Sequence, residues 1–159
     1  MSRNSDMGIH FYMQAVDKHG VAIDGAEVKD LEVDFEGLLY SKAEGLDKKG
    51  KIKNAYTEKY ADSDRLRVHF PTTPTREATT VKFTFYFIGD NRRKTYDEFY
   101  AYLTGGFRAF WDTVRKKKLV FFAPNEYEPA SEMWYGSEPY LELNITVQNI
   151  FGQTFDVEQ

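Results

Sequence analysis

Two stretches of strict alternation constrain this chain more than any other feature. Val81, Phe83, Phe85 and Phe87 are separated by Lys82, Thr84 and Tyr86, and the run stops at Gly89-Asp90-Asn91. Further on, Leu141, Leu143, Ile145 and Val147 alternate with Glu142, Asn144, Thr146 and Gln148. Successive side chains of a strand point to opposite faces, so each stretch has one apolar and one wet face. Such strands belong to antiparallel sheets that cover a core on one side, whereas strands of parallel sheets read as continuous apolar runs. The fold class expected is therefore mainly β: an antiparallel sandwich or barrel of about seven strands.

Other segments fill out that number. Residues 8–13 read as a first strand, followed by turn signals at Asp17-Lys18-His19-Gly20 and Asp24-Gly25. Leu31, Val33 and Phe35 alternate with Asp30, Glu32, Asp34 and Glu36, which predicts a strand with one apolar and one acidic face. Residues 65–70, 107–112 and 119–123 are further strand candidates, the last two flanking the basic turn Arg115-Lys116-Lys117-Lys118. One helix is expected at about 95–104. Thr95 and Glu98 have capping-box spacing, Tyr96, Phe99, Tyr100 and Leu103 recur at helical spacing, and Gly105-Gly106 supplies the stop. From 41 to 64 periodicity dissolves into Lys, Gly, Asp and Ala, which predicts a long mobile loop. The proline-bounded stretch containing Trp134 and Tyr135 reads as a polar loop before the last strand. The 159 residues fit one domain, 1–159, and an aromatic content of 16% suits a half-buried pleated surface.

Chemistry is harder to find. The chain has no cysteine, which removes disulfides, thiol nucleophiles and thiolate metal sites. His10, His19 and His69 have no partner at metal-ligand spacing, and no nucleophile elbow or glycine-rich phosphate loop is present. The reading is not an enzyme, with no catalytic residue, metal or cofactor. The formal net charge of -4 disfavours a phosphate grip, and the four-residue basic turn reads as a solvated hairpin tip. Asn144-Ile145-Thr146 matches a glycosylation sequon, but no apolar leader follows the polar amino terminus. No apolar run approaches the roughly 18 residues of a membrane span. The uncharged run Leu119-Val120-Phe121-Phe122-Ala123 is aggregation-prone if exposed, and the adjoining lysines and Pro124 act as gatekeepers.

Two features point to assembly. Tyr127, Trp134, Tyr135 and Tyr140 gather in one region, a composition enriched at interfaces. Lys48, Lys49, Lys51 and Lys53 lie in the long loop, which orders against a neighbouring subunit if it is a contact element.

The order of elements also carries a resemblance. The aromatic strand 81–88, the helix 95–104, the strand Gly105-Gly106-Phe107-Arg108-Ala109-Phe110-Trp111-Asp112, the basic turn, Ser131-Glu132-Met133-Trp134-Tyr135-Gly136 and the closing strand 141–150 follow one another. This succession, over about half the chain, resembles phage tail structural proteins of the tail-tube and distal-tail type, notably from long-tailed phages of Bacteroides-like hosts. The resemblance implies a virion protein made in the host cytoplasm and built into the tail without a signal peptide. Its partners would be itself, in a ring of six around the DNA channel, and neighbouring tail proteins. DNA would pass without specific binding, and neither a membrane nor a small-molecule ligand is implied. Asp30, Glu32, Asp34 and Glu36 would then line the lumen, and Lys48, Lys49, Lys51, Lys53, Tyr127, Trp134 and Tyr135 would serve as subunit contacts. The alternative is a carbohydrate- or peptide-binding β-sandwich module, with Trp111, Trp134 and Tyr135 as its aromatic platform.

Overall fold

The computed structural model describes residues 4–50, 76–123 and 131–157, together with the backbone pairing of residues 56–59 and 66–69. A 3-10 turn at Asn4–Met7 precedes β1 (Phe11–Ala15), β2 (Lys29–Asp30), the one-turn helix α1 (Leu31–Asp34) and β3 (Leu38–Glu44). Then come β4 (Tyr56–Lys59), β5 (Leu66–His69), β6 (Thr79–Ile88), α2 (Arg92–Leu103), β7 (Phe107–Asp112) and β8 (Lys117–Phe122). The chain closes with β9 (Ser131–Tyr135), β10 (Glu138–Asn149) and β11 (Phe155–Asp156).

Nine strands form one sheet in the order β2-β1-β7-β8-β10-β6-β3, with β9 added to β10 and β11 to β8. Every pairing in it is antiparallel. The mainly β, antiparallel expectation holds. β4 and β5 pair separately as a two-stranded antiparallel sheet.

The sheet is strongly curled, and ring contacts show it. Phe110 of β7 and Phe83 of β6 lie 5.1 Å apart edge to face, although three strand steps, about 14 Å in a flat sheet, separate β7 from β6. Phe11 of β1 stacks on Tyr40 of β3 at 4.0 Å, bringing opposite ends of the sheet together. Inside lie Phe83, Phe85, Phe87, Phe121, Leu141, Leu143, Ile145 and Val147, all buried, so the two alternating stretches supply the core as their period requires. Helix α2 closes one side, setting Phe99 at 4.8 Å from Phe85 and Tyr96 at 5.6 Å from Phe87.

Several expectations need correction. The acidic strand across residues 30–36 is not a strand: Leu31–Asp34 make a single helical turn, with Glu32 buried and Val33 54% exposed. Residues 31 and 35 lie on one side under period two and also one helical turn apart. The helix keeps both buried and turns Val33 outward. The capping box does not form either. Helix α2 starts at Arg92, three residues early, and the Thr95 N–H is already bonded to the Asn91 carbonyl at 3.0 Å, so it is no orphan. Within the stretch 41–64, residues 41–44 belong to β3 and 56–59 to β4, while 51–55 and 60–64 lie outside the described residues.

The chain departs and returns at one spot. Gly50 donates to the Gly152 carbonyl at 2.8 Å, and the Arg76 guanidinium donates to the Gly50 carbonyl at 3.0 Å. A methyl group on Gly50 would sit 1.8 Å from the Glu77 carbonyl oxygen, and one on Gly152 2.1 Å from it. Only glycine permits three backbones to meet so closely.

Candidate interaction surfaces

Among the described residues no group of three or more His, Asp or Glu side chains is placed to hold a metal. His10 Nδ1 lies 2.8 Å from Asp30 Oδ2, and His19 sits in the turn where Asp17 caps the backbone. His69 falls in β5. With no titratable cluster to develop, the surfaces carry the interest.

The first is the hairpin of β9 and β10. Gly136, at φ 61°, and Ser137 form its two-residue turn, with Tyr135 opposite Glu138. A positive φ at the first turn residue alone is the type II′ pattern, whose twist suits a hairpin. Among the described residues strand β9 has only β10 beside it, and all five of its residues are exposed. Trp134 is 67% and Tyr135 64% exposed. Successive residues point to opposite faces, so Tyr135 shares its face with Met133 and its cross-strand partner Glu138, while Trp134 shares the other with Glu132. Glu132 anchors the strand to helix α2, meeting Arg92 at 2.7 Å and Arg93 at 3.2 Å. Those guanidinium hydrogen bonds, Arg92 first, hold its carboxyl below the ordinary carboxylate range. An aromatic edge strand open on both faces is the usual form of an unfilled contact.

The second surface lies beyond the other end of β10. On the outer face of β1, β7 and β8 a small apolar cluster of Val16, Ala109 and Val120 is flanked by Trp111 and Phe151. Val120 of this cluster, with Trp111 and Phe151, lines a groove of about 660 Å³. The turn carrying Gly20 and Val21 forms one wall, and β11 with Phe155 forms the other. Lys118 Nζ lies 5.4 Å over the Trp111 ring at the rim. Lys117 pairs with Asp156 of β11, whereas Lys118 has no acidic partner among the described residues.

The remaining sequence candidates scatter. Lys48 and Lys49 are exposed beyond β3. Lys51, Lys53 and Tyr127 lie outside the described residues. The basic turn is closed by Asp112, whose Oδ1 accepts from the Val114 and Arg115 N–H groups at 3.0 and 2.6 Å, and Arg115 pairs with Asp47. The acidic quartet shares no face. Asp30 meets His10, Asp34 accepts from the Asp30 N–H at 2.7 Å, Glu36 takes the Asn91 amide at 3.5 Å, and Glu32 is internal. The four therefore do not form the single acidic strand face expected from their spacing. The sequence reading missed the groove altogether, because its walls come from segments more than 100 residues apart, with the pattern of neither marking them.

No family model matches the sequence, and no curated protein matches it. Among solved structures, the fold is similar to a chain of the phage P2 baseplate in its activated conformation with Ca, at a TM-score of 0.54 and 10% identity. The match covers 87% of this chain and 43% of that one, so this chain spans less than half the length of the chain it matches. At that identity the likeness is one of fold.

Proposed function

We propose that this chain is a structural subunit of a phage tail, incorporated at the baseplate or tube end by contacts with copies of itself and with neighbouring tail proteins. The observation that carries the reading is the fold likeness to a phage P2 baseplate chain across 87% of this chain. Two physical features agree with it. The edge strand β9 presents Trp134 and Tyr135 to solvent on both faces, a surface that a lone subunit leaves uncovered. The core of the sheet is filled by aromatic side chains, among them Phe83, Phe85, Phe87, Phe99, Phe110 and Phe121. The finer form of the proposal is a closed ring, six-fold as the sequence resemblance implies, through which DNA passes.

The test is the solution mass of the purified protein by light scattering over a concentration series, with negative-stain microscopy of the same samples. A species several times 18.5 kDa, seen as rings or tubes, is the expected result. A monomer at every concentration that binds a glycan or peptide with quenching of tryptophan emission would overturn it. That outcome would favour the second reading, a binding module, which rests on the aromatic groove floored by Trp111.

A further inference from the structure

Two opposite charges stand unanswered at the two ends of β10. Glu138 opens the strand and faces the same way as Tyr135 across the Gly136-Ser137 turn. It has no ion pair among the described residues, and neither does Lys118 at the rim of the groove. The groove adjoins Phe151, just past the far end of the 12-residue strand. At about 3.3 Å per residue the two sites are separated by roughly 36 Å, so no molecule's hairpin tip reaches its own groove.

We propose that the groove beside Trp111 receives the Tyr135–Glu138 hairpin tip of a second copy of this chain. The phenol ring packs against Trp111, Val120 and Phe151, and the Glu138 carboxylate meets the Lys118 ammonium. Charge complementarity selects this occupant. Residues 131–142 hold no basic residue, and of their three carboxylates Glu132 is taken by Arg92 and Arg93. In the groove the Asp156 carboxylate is taken by Lys117, which leaves the Lys118 ammonium as the lining charge for Glu138 to meet. The size agrees as well, because about 660 Å³ admits one aromatic ring and the turn behind it. Buried aromatic anchors ringed by polar contacts carry most of the free energy in such interfaces. Tip and groove are different surfaces, so the contact is head-to-tail and repeats from copy to copy until it closes on itself. This inference rests on the tail-subunit reading and names the contact through which it would assemble.

The absence of native cysteine makes the test clean. Ser137→Cys, at the turn, is mixed with Val21→Cys, on the exposed groove wall, and oxidised mildly. The expected result is a disulfide-linked dimer forming at least tenfold faster than with Val33→Cys, which places the thiol on α1. Adding Tyr135→Ala to the tip partner, or Lys118→Glu to the groove partner, slows the cross-link tenfold or more, and Glu138→Lys opposite Lys118→Glu restores it. Equal rates at Val21 and Val33, or indifference to Tyr135→Ala and Lys118→Glu, would overturn the contact. Rings that persist in the Tyr135→Ala protein without the cross-link would sink this contact and leave the tail reading intact. A monomer without the cross-link, whose Trp111 emission is quenched by a glycan or peptide, would sink both.

Discussion

Asn4 holds both carboxylate oxygens of Glu32: its backbone N–H reaches Oε1 and its side-chain amide reaches Oε2, each at 2.7 Å. Ser5 N–H adds a contact to Oε1 at 3.4 Å and Tyr40 N–H one to Oε2 at 3.1 Å. A carboxylate inside the fold thus fastens the amino-terminal turn to β3 through four uncharged donors. Glu32→Gln turns one acceptor into a donor that faces another donor. The expected loss is about 2 kcal/mol in chemical denaturation, and Glu32→Ala costs about the same or more. A change under a few tenths of a kcal/mol in both variants would refute the clasp.

Glu132 sets an acid limit on β9. Its pKa is lowered from the ordinary value of 4.5, so the Arg92 and Arg93 pairs are fully present above that pH. They are lost as the pH falls through the lower folded value. Amide exchange across β9 is expected to accelerate on that acid side in the native protein. In Glu132→Gln it should already be fast at neutral pH and change little on acidification.

Tyr40 sets an alkaline limit. Burial, with the negative charge of Asp112 adding to it, pushes its phenol up to about 12. The raised value means that stability is intact below pH 10 and falls as the pH climbs from 10 towards 12, because the unfolded chain ionises first. Phenolate absorbance should show Tyr40 titrating late, as Tyr102 also does because burial raises it. Tyr40→Phe should remove one late phenol and flatten the decline in stability while keeping the stack on Phe11.

Asn149 is buried with neither amide atom bonded among the described residues, and it lies opposite Thr79, whose hydroxyl likewise has no partner among them. An unsatisfied amide at such a site costs about 1–3 kcal/mol. Asn149→Leu, close in shape, should raise the thermal midpoint. A lower midpoint would mean that the amide is answered in solution.

What the sequence disclosed followed from period. Phe83, Phe85 and Phe87 admit only one face under alternation, so the central strands and their core were legible. Leu31 and Phe35 fit a strand and a helical turn equally, and the buried Glu32 tipped the choice through partners 28 and 8 residues away. Strand β9 escaped because none of its residues is buried, leaving no alternation to see. A local signal was nonetheless present: Gly136-Ser137 between two β-prone runs is a hairpin turn in its own right. The interaction surfaces divided similarly. Trp134 and Tyr135 could be singled out by composition, whereas the groove depends on Gly20 and Val21 facing Phe151 and Phe155 across the sheet, a long-range pairing no local pattern encodes.

The junction of Gly50, Glu77 and Gly152 gives the chain the logic of a cassette. The chain leaves the described fold after Gly50 and re-enters it at Arg76 beside the same junction, so the distance to be bridged is the same whatever is threaded between. Loop-closure cost rises only about 0.6 kcal/mol per doubling of length, so a segment between two such neighbouring ends is free to lengthen, shorten or be exchanged. The nine strands behind the junction would keep their register throughout. Descent with change can therefore rewrite the sequence between Gly50 and Arg76 without renegotiating the sheet on either side of it.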